Sequence, residues 1–526
     1  MADISKPSCQ AASLGRAEIF TMIVLMLTTA LVLYWRWVGY QGTDDFYYVW
    51  AAIEWADMPP ALGFSHWSLR YALVLPMAGA IKLFGRIPFA LAAPNPITYL
   101  GFLAVTYAGM RHWFGWRAAA AAVAMAMLLP IFPVQASYPN PDLMEAAFCA
   151  ASLWCFLLAR EGGGRPGWLF FAGVLVGVAF LAREISASLL ITYSILFVLR
   201  PGFQRWRYFI MAAGFVLIAG GQMAYFMART GDPLYRVHIS ARAQLEGMDR
   251  GGLNERAQIA GRTLDAEGVL AATSVLKPLT TVLVSQKFGL LFPLSFLAVC
   301  ILARSSQISR RQRGICLIFG LVGLVSWLFV ALNAATLVLI PRYFAITAAA
   351  ALVPVATLLA IWWDSGHMRR AAVIGALFAG SSGTLLYLEQ TQPTRGEQAI
   401  IAYLAQTSEP VFLDPQTEMR ARVFLTFMNL GHRVAITAPP PGALVIRRAG
   451  SVEECRVDPY CGWRTRGDDY LVRPEWIVLS QDVPVHRIAG LVLRATGLDR
   501  HLPPDIVAKI GRPYAGLAIY RVPPAP

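Results

Sequence analysis

Apolar residues run along most of the chain in stretches long enough to cross the roughly 30 Å of hydrocarbon in a bilayer. They lie near 19–38, 88–110, 117–134, 143–159, 167–182, 185–199, 208–228, 280–303, 314–335, 343–363 and 371–388, which predicts about eleven membrane-spanning helices. One further apolar segment, 67–85, carries Arg70 and Lys82 near its ends. It reads as an interfacial or re-entrant helix on the outer face rather than a crossing. Beyond Leu388 the pattern changes. Short β-like runs ("PVFLD", "HRVAIT", "GALVIR", "EWIVLS", "LAIYRV") alternate with helical patterns such as "TEMRARVFLTFMNLG". This divides the chain into a transmembrane part, 1–389, and a small α/β domain, 390–526.

Composition agrees with the pattern. The 526 residues are 57% apolar and 14% charged, with a mean hydropathy of +0.52, outside the range of soluble globular domains. A formal charge of +14 would suggest a nucleic-acid partner in a soluble protein. In a polytopic membrane protein it follows from basic cytoplasmic loops, so no nucleic acid is expected. With the N-terminus inside, the short inner loops take Lys6 and Arg16, Arg111 and Arg117, Arg160 and Arg165, Arg200, Arg205 and Arg207, Arg304 to Arg313, and Arg369 and Arg370. The short outer loops take Asp44, Asp45, Glu54, Asp57 and Asp142, and the C-terminal domain lies outside with them. Cys149, Cys155, Cys300 and Cys316 fall in apolar runs, whereas Cys455 and Cys461 are close together in a polar segment, where a disulfide would require an oxidising compartment.

The candidate chemistry is on the outer side. Asp44 and Asp45 stand within a few residues of the hydrocarbon, in "GTDDFYYVWA". A carboxylate at such a boundary is partly desolvated and suited to act as a general base. Glu54 and Asp57 read as solvated loop acids. Asp142, in "PNPDLMEAAF", caps a helix or faces the same outer cavity. Arg183 and Glu184 interrupt two apolar runs in "FLAREISASLL", and charges near membrane depth are functional candidates by default. Arg342 and Tyr343, in "LIPRYFAIT", sit at the entry of a later span, where arginine can bind phosphate or snorkel. His66, beside Trp67 and Arg70, could contact phosphate or metal. His238 is a weaker candidate, and "GDDY" at 467–470 reads as a surface turn. No phosphate loop, Ser-His-Asp arrangement or zinc-finger spacing occurs.

The order of these segments resembles the GT-C glycosyltransferases of the family 39 type, in particular the branch holding protein O-mannosyltransferases, lipid A aminoarabinose transferases and rhizobial galacturonosyltransferases. The likeness rests on an acidic pair after the first span, a boundary helix ending in "LFG", "WFGWRAAAAAVAMAMLLPIF" leading to "PNPD", "GVLVGVAFLARE", and the late "PRY". It implies a polyprenyl-phosphate-sugar donor and inverting transfer to a hydroxyl of a lipid, glycan or protein acceptor, on the periplasmic face of a bacterial inner membrane. By position it implies Asp44 as base, Asp45 as the acid that follows it, Asp142 as the second acidic loop, Arg183 as the basic residue after the Gly-rich helix and Arg342 with Tyr343 as the late pair. Glu184, His66 and Arg70 are candidate donor-phosphate or substrate contacts on the residues alone, and the resemblance leaves the role of His66 open. No cofactor is implied with certainty, and a divalent ion is left open. Many relatives carry His-Pro-Pro or Lys-Pro-Pro ahead of the boundary helix, where this chain has "HWSLR". The rival reading of the same charges is a transporter or flippase of a lipid-linked sugar.

Overall fold

A computed structural model describes residues 15–40, 44–63, 65–241, 278–283, 285, 287–333, 339–388, 395–448, 470–481, 494–500 and 517–524. Cys455, Cys461 and residues 467–469 lie outside these. Every apolar stretch read above carries a helix. In chain order the helices are α1 (Arg16–Trp35), α2 (Asp44–Asp57), α3 (Tyr71–Phe84), α4 (Pro88–Ala92), α5 (Pro94–Phe114), α6 (Trp116–Leu128), α7 (Ile131–Ala136), α8 (Pro141–Glu161), α9 (Pro166–Ala182), α10 (Ala187–Leu199) and α11 (Tyr208–Thr230). There follow α12 (Leu291–Arg304), α13 (Arg310–Leu332), α14 (Ala345–Asp364) and α15 (Met368–Leu388). Among the described residues, five helical segments are long and apolar enough to cross a membrane by length and composition: 16–35, 141–161, 205–230, 310–332 and 341–364.

Contacts at the helix ends sort them onto two faces. Arg111, near the end of α5, pairs with Glu18 at the start of α1. Glu161, ending α8, takes His112 at 2.8 Å and also Arg311 at the start of α13. Arg117 pairs with Asp364 at the end of α14. These ends share one face. On the other, the Gly39 amide donates to the Ser137 carbonyl at 2.8 Å. There Asn95 Nδ2 donates to the Gln135 and Asn140 carbonyls at 3.3 and 2.7 Å, and Trp35 stacks on Tyr387 at 5.8 Å. Both flanks of α2 and α3 are therefore docked on the same segment, 135–140, so the chain between Gly39 and Asn95 leaves and returns to one face. That is the behaviour expected of the predicted interfacial helix.

Burial follows position. The window of 341–364 is 83% buried and that of α1 only 17%, so α14 runs through the bundle centre while α1 shows Phe20, Met26, Leu27 and Leu31 on the outside. The α9–α11 crossing is the tightest. A Cβ on Gly173 would meet the Met211 carbonyl oxygen at 1.9 Å, and one on Gly214 the Phe170 carbonyl oxygen at 2.3 Å. Small residues let membrane helices approach backbone to backbone, where dispersion replaces the missing hydrophobic drive.

The C-terminal part contains α16 (Arg395–Gln406), α17 (Pro415–Phe427) and strands β1 (Val411–Leu413), β2 (Val434–Ala435), β3 (Leu444–Arg448), β4 (Ile477–Gln481) and β5 (Leu517–Arg521), each strand at a β-like run read from the sequence. They form one sheet in the order β2-β1-β3-β5-β4. β1 is parallel to β2 and β3, and β5 is antiparallel to β3 and β4. Helix α17 packs one face on this sheet and offers another to α2 and to Tyr40 ahead of it: Phe424 meets Tyr40 edge-on at 5.4 Å, and Arg422 stands 5.7 Å over the Phe46 ring of α2.

Substituting Gly173 by Val drives a side chain into backbone, so it should lower stability by about 1–3 kcal/mol. Gly167→Ala, with nothing within 4 Å, should change it by less than about 0.5 kcal/mol. Thermal unfolding of the purified protein in detergent compares the two.

Candidate active site

Three chain segments distant in sequence converge on the face that holds α2. Asp44 opens α2, Asp142 lies in the first turn of α8, and Arg342 sits in the short 3-10 turn Pro341–Phe344 ahead of α14. Local sequence sets each position. Asn140 has an extended backbone and accepts the Asp142 amide at 2.7 Å, capping α8, while Pro141 takes the first helical position, where no amide is needed. The same Asn140 donates to the Tyr138 hydroxyl at 2.7 Å. Arg183 ends α9 in extended conformation, so its side chain leaves the helix end toward α8.

The charges close into one network. Arg342 Nη2 pairs with the Asp44 carboxylate, and its Nε lies 3.4 Å from Asp142. Arg183 donates to the other oxygen of Asp142 and stands 4.0 Å over the Tyr343 ring. Asp142 thus lies between two guanidinium groups, its side chain 1% exposed, while Arg342 joins it to Asp44. The two halves differ in access: the Asp44 and Arg342 side chains are 34% and 25% exposed. The expectation of a carboxylate flanked by hydrocarbon needs one amendment, because a guanidinium lies directly against Asp44.

The other predicted residues fall around this network. Arg70, the N-cap of α3, is buried and donates to the Tyr48 hydroxyl at 3.2 Å. Burial pushes the Tyr48 phenol up from its ordinary range, so it stays protonated. Asp45 is buried on α2. Glu184 follows Arg183 but turns away to Arg236, whose Nε and Nη2 approach it at 2.9 and 2.7 Å. His66 packs on Trp67, ring centroids 3.8 Å apart, and makes no direct contact with the carboxylates among the described residues. His238 is exposed and pairs with Asp232 at 2.7 Å, away from the network. Glu54 accepts from Trp50 at 3.1 Å, and Asp57 pairs with Arg86 in solvent. Sequence reading missed Tyr48, Tyr138, Asn140 and Arg236. Asn140 alone left a signal, as the capping residue of "PNPD".

No group of three His, Cys, Asp or Glu side chains among the described residues could hold a metal ion. The two carboxylates at the centre share Arg342, and a dication beside that cation would be repelled. This donor set does not fit a divalent ion.

Breaking the buried pair should cost more than replacing it. Asp142→Asn leaves Arg183 uncompensated and should destabilise by about 3–5 kcal/mol, with the Asp142→Asn, Arg183→Gln double variant recovering part of it. Asp57→Asn should stay within about 1 kcal/mol. Thermal unfolding tests all three. A second test is titration. Burial, aided by the Arg70 charge, pushes the His66 imidazole down from 6.5 to about 4. The unfolded chain therefore binds a proton there before the folded one does, and the fold loses stability as pH falls from 6.5 toward 4. His66→Gln should remove that part of the acid-side loss, measured as unfolding midpoint against pH.

Residues 74–221, from within α3 to within α11, match the family model described as dolichyl-phosphate-mannose-protein mannosyltransferase. No curated protein matches the chain by sequence. Among solved structures, ArnT from Cupriavidus metallidurans bound to undecaprenyl phosphate superposes with a TM-score of 0.51 at 14% identity, covering 83% of this chain and 94% of that one. The Archaeoglobus fulgidus oligosaccharyltransferase in complex with zinc and sulfate gives 0.55 at 12%, covering 95% and 88%. The same organism's AglB with an inhibitory peptide and a dolichol-phosphate gives 0.52 at 12%, covering 96% and 89%. The chain thus shares the fold of these GT-C membrane glycosyltransferases, and its segment 74–221 is similar in sequence to the mannosyltransferase family.

Proposed function

We propose that the protein transfers a sugar from a polyprenyl-phosphate-sugar to a hydroxyl of an envelope acceptor, on the face that carries Asp44. One observation carries the reading: Arg342 bridges Asp44 and Asp142, so a cation suited to phosphate lies directly against a carboxylate suited to take a proton. ArnT was solved with undecaprenyl phosphate and AglB with a dolichol-phosphate, which supports a lipid phosphate as the leaving group here.

The chemistry follows from charge. The acceptor oxygen attacks the anomeric carbon opposite the phosphate, inverting it. The carbon–oxygen bond to phosphate breaks, and the proton of the hydroxyl passes to Asp44. The lipid phosphate departs with one more negative charge and needs stabilisation more than protonation. Arg342, with Arg183 and Arg70 behind it, supplies this. An incoming phosphate competes with Asp44 for Arg342, so donor binding itself releases the carboxylate to act as base. Positioning of donor and acceptor lowers the rest of the barrier.

Basic loops mark the opposite face as cytoplasmic, so the reaction and the C-terminal domain are assigned to the periplasmic side of a bacterial inner membrane. Both the family match and the structural likeness are to transferases, and the transporter reading is not retained.

Asp44→Asn should fold and insert normally and lose about 10²–10⁴ of the transfer rate, while Glu54→Gln stays near wild type. Transfer is measured in membranes as loss of sugar from labelled polyprenyl-phosphate-sugar. In parallel, mass spectrometry compares envelope glycolipids, glycans and proteins of a deletion strain complemented with either variant. Equal loss in both variants, or in neither, overturns the assignment of Asp44.

A further inference from the structure

The face opposite Asp44 holds a cavity of about 590 Å³ between the ends of α8, α10 and α13. Its walls are apolar, with Leu199 of α10 facing Leu317 and Leu321 of α13, and its rim is arginine: Arg160, Arg200 and Arg310. Three arginines around an apolar groove are not themselves a site, since basic loops gather on this face for topological reasons. Two further observations give them a ligand.

First, Arg160 Nη1 is buried and has no hydrogen-bond partner, a cost that an anion in the cavity would relieve. Second, the charges do not cancel locally. The one carboxylate lining the cavity, Glu161, is already taken by Arg311 and His112, and no carboxylate among the described residues pairs with Arg160, Arg200 or Arg310. The shape agrees. Leu199 and Leu317 remain exposed beside the arginines, so the groove runs from a cationic rim into the hydrocarbon-facing flank of α10 and α13. A free anion would have no use for that wall, whereas an acyl chain would.

We infer that this cavity binds an anionic phospholipid of the leaflet facing away from Asp44, its phosphate against Arg160, Arg200 and Arg310 and an acyl chain along α10 and α13. Helix α8 has Asp142 near one end and Arg160 near the other, so the two sites are separated by about 30 Å of helix. The lipid site is distinct from the transfer site and independent of the reaction proposed for it.

The test uses the full-length protein in detergent, titrated with phosphatidylglycerol, phosphatidylcholine or inorganic phosphate and read by native mass spectrometry. Phosphatidylglycerol should bind at least about tenfold more tightly than phosphatidylcholine, with about fivefold lost for each arginine removed. The primary variant is Arg200→Gln with Arg310→Gln. Both residues are exposed, so elution as wild type verifies the fold. Arg160→Gln is the second variant, and Arg86→Gln, an exposed arginine between α3 and α4, should leave lipid binding within about twofold of wild type. Equal binding of the two lipids, unchanged binding in the cavity-arginine variants, or loss in Arg86→Gln instead would overturn the inference. So would displacement of the lipid by inorganic phosphate at millimolar concentration, which would assign the rim to a free anion.

Discussion

A carboxylate buried between two guanidinium groups is expensive to build anywhere, and more so at the edge of a bilayer, where no bulk water makes up for a misplaced partner. Asp142 is such a carboxylate. Its charge is tolerable only while Arg183 and Arg342 both reach it, which requires α8, the end of α9 and the turn before α14 to meet at one level. Close packing sets the spacing of the bundle, as where Gly173 and Gly214 let α9 and α11 touch backbone to backbone. The ionic network adds to that register the requirement that three charged segments meet at one level. It explains why the cap of α8 is built so carefully, with Asn140 holding the Asp142 amide while its own carbonyl receives Asn95.

The two faces of the bundle handle charge differently. On the Asp44 face, cations and carboxylates are matched within the fold, and the network is close to neutral. On the opposite face, several carboxylates are consumed in tying helix ends together, as Glu18 ties α1 to α5 and Glu161 ties α8 to α13, and arginines are left over. Much of the net charge of +14 arises from such loops. The same composition thus fits two roles: the charge asymmetry expected to orient a polytopic protein, and the surface inferred to hold lipid phosphate.

Most of the helices were legible because a membrane helix must satisfy its own backbone within one long apolar run. The five strands beyond Leu388 were legible for the opposite reason, each being a short β-rich run between turn residues. Of the site, the individual residues could be read but not their pairing. Asp44, Asp142, Arg183 and Arg342 stand out as charges at span ends, yet nothing in their spacing shows that Arg342 bridges Asp44, 298 residues away in sequence, to Asp142. Arg236 was hidden in a long loop of mixed charge, where a cation carries no signal until its partner Glu184 is seen beside it. Tyr48 was hidden as one aromatic among several on α2.

A transferase of this kind needs a site that is rigid and exchangeable at once, and the network divides that demand between its halves. Asp142 and Arg183 are sealed from solvent, so exchanging them for another partner would expose bare charge to a dry interior, and they hold still. Asp44 and Arg342 are partly exposed, and water or a ligand can replace either one as the other's partner at small cost. In the proposed transfer, a phosphate arriving from the lipid would have one arginine to capture and another held in place behind it, and the carboxylate it displaces would be free when a substrate is present to use it. Helix α17 of the C-terminal part packs against α2 through Arg422 and against Tyr40 ahead of it through Phe424, so the helix that presents Asp44 is braced from outside the bundle.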